Sequence, residues 1–130
     1  MRQVVFKKFY IFSAHRPNNM NNHINSLTVK SVLKDEGLSF SVTQGVYKDT
    51  KEISFMVFDG PNVKSTIEAL CKIYNQECYL LRDVDNEGYL VYPNGTRERI
   101  GNPVEVTSKG CDNYTVVQKE NGPYCFTFKR

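Results

Sequence analysis

The sequence predicts an α+β fold, with a ferredoxin-like βαββαβ core over residues 1–84 and β-hairpins over residues 85–130. Three observations predict it. Two stretches alternate apolar and polar residues at strand spacing, around residues 38–47 and 52–58. One stretch repeats its apolar residues at helical spacing, with Val63, Ile67, Leu70, Cys71 and Tyr74 on one face. The C-terminal third is punctuated by Asp85-Asn86-Glu87-Gly88, Asn94-Gly95 and Asn121-Gly122, and Asn-Gly tolerates the positive φ of tight hairpins.

The elements follow in order. Residues 3–13 are rich in β-branched and aromatic side chains (Val4, Val5, Phe6, Phe9, Tyr10, Ile11, Phe12) and read as a strand. Pro17 and the asparagines Asn18, Asn19, Asn21 and Asn22 end it. Residues 22–36 read as a helix whose apolar residues form no single clean stripe, and Gly37 suits the position just past its end. Leu38, Phe40 and Val42 mark a half-buried strand, and Lys48-Asp49-Thr50-Lys51 a turn. Residues 52–58 carry apolar groups on both faces and read as a central strand. Asp59-Gly60-Pro61 stops it and starts the second helix, because proline fits the first helical turn. Cys78 to Val84 is a further strand. Short apolar runs then recur at Tyr89–Tyr92, Val104–Val106, Tyr114–Val117 and Tyr124–Phe128.

At 130 residues the chain reads as a single domain, residues 1–130. Hydrophobic residues make up 40%, with eight Phe and eight Tyr, enough for a real core and against a disordered chain. The net charge of +3 is too weak for a dedicated nucleic-acid binder and implies mild anion attraction. Cys71, Cys78, Cys111 and Cys125 lack zinc-knuckle spacing, and His15 and His23 lie far from them, so no metal is expected. No secretory signal or membrane span is visible, since Lys7 and Lys8 interrupt the first apolar run. Reduced thiols and a cytoplasmic location follow as expectations. Asn94-Gly95-Thr96 and Asn113-Tyr114-Thr115 match the glycosylation pattern but read as turn and strand residues.

Several landmarks recur in order: Ser13-Ala14, Pro17, Gly37, Gly45, Glu52, Ser54-Phe55, Val57 and Gln76-Glu77. In these the chain resembles the DUF3293 family of small uncharacterised bacterial and phage proteins. His15-Arg16 departs from the aromatic and Asn more usual there. The resemblance implies a bacterial or phage setting, with the host cytosol as compartment, and brings no established activity.

Three constellations could carry chemistry. The loop Ser13–Asn22 gathers a hydroxyl, an imidazole, a guanidinium and carboxamides at a helix start. Arg16 suits bidentate contact with phosphate or carboxylate, and free N–H groups at a helix start favour anions. The same residues also serve a solvated loop that caps the helix. Glu52 opens a central strand, as a general base, a ribose or amide contact, or a partner of Lys48 or Lys51. Gln76 follows the second helix, as a hydrogen-bonding edge or a helix-end turn residue. Cys71 lies on the apolar stripe and reads as packing. Phe6, Tyr10, Phe12, Phe55 and Tyr79 are read as core rather than as a base-stacking surface.

These observations lead to a non-enzymatic, cofactor-free binding protein, and the resemblance implies a phage accessory protein of the host-interaction, counter-defence type. Ser13, His15, Arg16, Asn22, Glu52 and Gln76 would line a site for a small anionic, nucleotide-like ligand or a host protein. The alternatives are a small enzyme on a nucleotide-like substrate with His15 and Glu52 as acid–base pair, a purely protein-binding module, and a single-stranded nucleic-acid binder. A homo-oligomer stays open.

Overall fold

The computed structural model describes residues 8–16, 19–47, 50–106, 113–119 and 122–129. The expectations for Val4, Val5, Phe6, Pro17, Asn18, the Lys48-Asp49 turn, Cys111 and Asn121 lie outside these residues. The elements are β1 (Phe9–Phe12), α1 (Asn22–Asp35), β2 (Phe40–Tyr47), β3 (Thr50–Phe58), α2 (Val63–Ile73), β4 (Tyr79–Arg82), β5 (Gly88–Val91), β6 (Arg97–Glu105), β7 (Asn113–Lys119) and β8 (Gly122–Lys129).

The strands form a closed antiparallel barrel in the order β1–β3–β2–β7–β8–β6–β5–β4. The protein is therefore a mostly-β eight-stranded barrel with two helices. This corrects the expected α+β ferredoxin-like sheet with appended hairpins. The difference arises at the edges. β7 pairs with β2, and β5 pairs with β4, so the C-terminal strands bridge the two margins that an open sheet would expose. Closure pairs both rows of backbone N–H and C=O groups that an open sheet leaves free.

Alternation along β1 and β3 explains why both of their faces are apolar. Tyr10, Phe12, Phe55 and Val57 point outward and pack under the helices. Phe9, Ile11 and Met56 point inward and meet Val117 and Phe126 in the barrel interior. The cross-strand register Phe9↔Phe58, Tyr10↔Val57 and Ile11↔Met56 keeps these two sets apart. Gly88 is also an interior position, and a β-carbon there would overlap the Phe128 ring.

α2 buries Val63, Ile67, Leu70 and Cys71, the stripe read from its spacing. α1 buries only Ser26, Val29 and Leu33, while Ile24 and Leu27 face solvent, which is why no single apolar stripe appears in its sequence. Cys71, Cys78 and Cys125 are free thiols. Among the described residues no helix is long and apolar enough to cross a membrane.

Two tyrosines tie α2 and its approach to the outside of the barrel. The Tyr10 hydroxyl donates to Asp59 Oδ1 (3.2 Å) and the Tyr79 hydroxyl to Glu68 Oε2 (3.2 Å), with the rings 5.9 Å apart. Burial, then the Asp59 carboxylate, pushes Tyr10 up to about 12. Burial, then Glu68, raises Tyr79 as well. A folded-state value above the unfolded one means the unfolded chain loses its proton first as pH rises. The stability from these groups is therefore fully present below pH ~10 and is lost as pH climbs through the folded values, by up to about 1.4 kcal/mol per pH unit for each tyrosine. Thermal unfolding between pH 9 and 12 is expected to show this decline, and a Tyr10→Phe/Tyr79→Phe double variant to show a shallower one. Equal slopes for the two proteins would refute the assignment.

Candidate functional site

One end of the barrel, where β1 gives way to Ser13, gathers most of the polar residues picked out from the sequence. Ser13 is buried, and its Oγ donates to the Ile53 carbonyl (2.7 Å) while accepting from the His15 backbone N–H (2.9 Å). The Gln76 side-chain Nε2 donates to the His15 carbonyl (3.2 Å) and to the Tyr74 carbonyl (3.4 Å). Arg16 and Asn22 close the loop on themselves: the Arg16 backbone N–H donates to Asn22 Oδ1 (2.8 Å), and Asn22 Nδ2 donates to the Arg16 carbonyl (2.8 Å). Asn21 precedes α1 without a side-chain cap bond, and its own N–H donates to Asn19 Oδ1 (2.8 Å). The asparagines thus hold the loop together, and the Arg16 side chain is exposed.

Glu52 lies next to Ile53, on the inner face of β3, in register with Gly45 of β2. One step deeper, the buried hydroxyls of Thr43 and Ser54 share a hydrogen bond of 2.7 Å, so the interior polar groups nearest Glu52 satisfy each other. Glu52 and Gly45 border an open cavity of about 690 Å³ at the barrel end, whose other walls include Leu80, Leu90, Phe126 and Phe128. That volume suits a drug-sized ligand, for which clefts run to about 300–1,000 Å³. Among the described lining residues Glu52 is the one carboxylate, set against apolar and aromatic walls with Asn113, Thr115 and Thr127 beside them, an arrangement that can take a cationic group carried on a larger molecule. Among the described residues no hydrogen bond or ion pair joins His15 directly to Glu52; the His15 backbone engages Ser13 and Gln76 instead.

A second cavity, of about 560 Å³, lies outside the barrel between the end of α2 and the start of β4. Gln76 borders it together with Glu68, Cys71, Cys78, Tyr79 and Tyr92. Burial raises the Cys71 thiol to about 12 and raises Cys78 too, so both are held as neutral thiols rather than nucleophiles. The aromatic wall of the barrel cavity escaped the sequence reading. Its signal was present, as Tyr124, Phe126 and Phe128 alternate along β8, but which face of that strand lines a cavity depends on closure.

The geometry is that of a barrel with an open cavity at its mouth, and the comparison with known families bears on what it does. The chain belongs to the S-adenosylmethionine lyase family, whose model matches residues 10–127. A comparison with curated proteins finds no match. This membership corrects the resemblance to the DUF3293 family, whose matched landmarks are each short and which a match across nearly the whole chain overrides. It also corrects the reading of a non-enzymatic binding protein. The family is one of enzymes that cleave S-adenosylmethionine, in line with the alternative of a small enzyme acting on a nucleotide-like substrate. A small-molecule partner, S-adenosylmethionine as substrate, is what membership implies.

Proposed function

We propose that this chain cleaves S-adenosylmethionine in the barrel-mouth cavity, with Glu52 holding the cationic end of the substrate. The observation that carries the reading is the carboxylate of Glu52, the one acidic group among the described lining residues, on the inner face of β3 and bordering a cavity with walls that include Leu80, Leu90, Phe126 and Phe128. The substrate carries a sulfonium and an ammonium against one carboxylate, so its net charge is positive. A carboxylate, rather than the exposed Arg16, is the complementary group.

A lyase breaks the carbon–sulfur bond without water. The electron pair of the bond between sulfur and the γ-carbon leaves on sulfur, which becomes a neutral thioether in methylthioadenosine. The α-carboxylate of the same substrate supplies the replacement bond to the γ-carbon and closes a five-membered lactone, so no proton or outside nucleophile is needed. Sulfonium and carboxylate charges cancel as the reaction proceeds, and apolar walls favour such charge loss over the fully charged ground state. A carboxylate beside the sulfonium would oppose that loss. Glu52 is therefore assigned to the ammonium, whose charge persists, and pairing there keeps the ammonium away from the attacking carboxylate.

The test is to incubate the purified full chain with S-adenosylmethionine and follow products by liquid chromatography and mass spectrometry. Equimolar methylthioadenosine and homoserine lactone are expected. Intact substrate after prolonged incubation would overturn the reading, and a vinyl amino acid in place of the lactone would replace internal capture with elimination.

A further inference from the structure

Gly45 sits in the interior of β2, where glycine is a poor choice on backbone grounds, because it gives up more conformational freedom on folding than any other residue. Two common structural reasons for a glycine are absent here. Gly45 does not adopt a left-handed backbone conformation, unlike Gly37, Gly95 and Gly101. Packing does not require it either. Among the described residues, a β-carbon at Gly45 would meet only the Glu52 carbonyl oxygen, at 3.8 Å, an ordinary contact. Gly88 is the contrast, for there the Phe128 ring occupies the space. The ladders on both sides of Gly45 run in unbroken register, so no bulge marks it, and among the uses of glycine within a strand is close approach of a ligand.

The position fits that reason. Gly45 is paired with Glu52 across the β2–β3 ladder, on the same inward face, and both border the barrel-mouth cavity. We infer that Gly45 is a specificity-determining position, its missing side chain leaving the clearance that the amino-acid end of the substrate needs to reach Glu52 while the bulky nucleoside fills the rest of the cavity. This inference rests on the proposed cleavage of S-adenosylmethionine and names the residue that sets how large a substrate the site admits. A side chain here takes away binding space without touching the reacting atoms, so its effect falls on KM before kcat.

The experiment pairs thermal melting of the ligand-free full chain with steady-state kinetics on S-adenosylmethionine, for wild type, Gly45→Ala and Gly45→Val. Melting temperatures equal to or above wild type are expected for both variants, because alanine and valine are better strand residues than glycine. The KM is expected to rise several-fold in Gly45→Ala and at least about tenfold in Gly45→Val, the scale on which one or more methyl groups are felt in an apolar pocket. A clear fall in melting temperature would make Gly45 a structural residue and overturn the inference. Unchanged KM in Gly45→Val with wild-type cleavage intact would overturn it too, while leaving the proposed reaction standing. A wild-type protein that leaves S-adenosylmethionine uncleaved would overturn the reaction and the inference together.

Discussion

Glu52→Gln is expected to raise the KM for S-adenosylmethionine by about 10- to 100-fold, with little change in kcat and no loss of fold. The size follows from the contact being lost. A hydrogen bond to a charged group contributes about 1.5–3 kcal/mol, and each ~1.4 kcal/mol is tenfold. The direction follows from the assignment to the ammonium, whose charge is the same in substrate and transition state, so the interaction is uniform binding. The fold is spared because β3 is held at this point by backbone pairing with Gly45 and by the Ser13 hydroxyl on the Ile53 carbonyl, neither of which uses the Glu52 side chain. Steady-state kinetics with circular dichroism on the same sample checks both halves. A fall in kcat at constant KM would move Glu52 to the reacting sulfonium.

Phe126→Ala is expected to destabilise the protein by about 3–5 kcal/mol, the usual cost of emptying a buried aromatic site. Phe126 is 0% exposed and central to the barrel interior. It meets Phe9 edge-on at 6.2 Å between ring centres, and Tyr124 and Phe128 at 6.3 and 5.9 Å. It also stands on the strand that joins β7 to β6, opposite Thr115 on one side and Glu105 on the other. A domain has about 5–15 kcal/mol in hand, so this loss consumes a large part of it. Urea unfolding should show a midpoint shift of that size at unchanged slope. A shift below about 1 kcal/mol would mean that the interior repacks and that Phe126 is not central to closure.

Family membership recasts the charge logic of the site. Read from the sequence, the guanidinium of Arg16 drew attention because a basic side chain at a helix start suits an anion. In the structure that side chain is exposed, and the backbone of Arg16 is occupied with Asn22. Glu52, also picked out from the sequence, is the residue that borders the larger cavity. Ser13, His15 and Gln76 are tied together by hydrogen bonds that mostly engage backbone groups, and Gln76 borders the second cavity.

What the sequence by itself determined is local. Alternation marked β2 and β3, the spacing of Val63, Ile67, Leu70 and Cys71 marked α2, and Asn-Gly marked the turn at Gly95, whose φ is +86°. These signals are short-range, because side-chain period and backbone preference depend only on near neighbours. What only the tertiary structure decided is which strand edges meet. The runs ending in Val117 and Phe128 read equally well as free hairpins or as staves of a barrel, since a strand's apolar face says that it is covered and not by what. The pairing of β7 with β2 and of β5 with β4 made the choice, by satisfying two open edges at once and turning the inner face of β8 toward Gly45 and Glu52. The cavity exists only because that closure joins residues from opposite ends of the chain, and no local pattern encodes a contact of that separation.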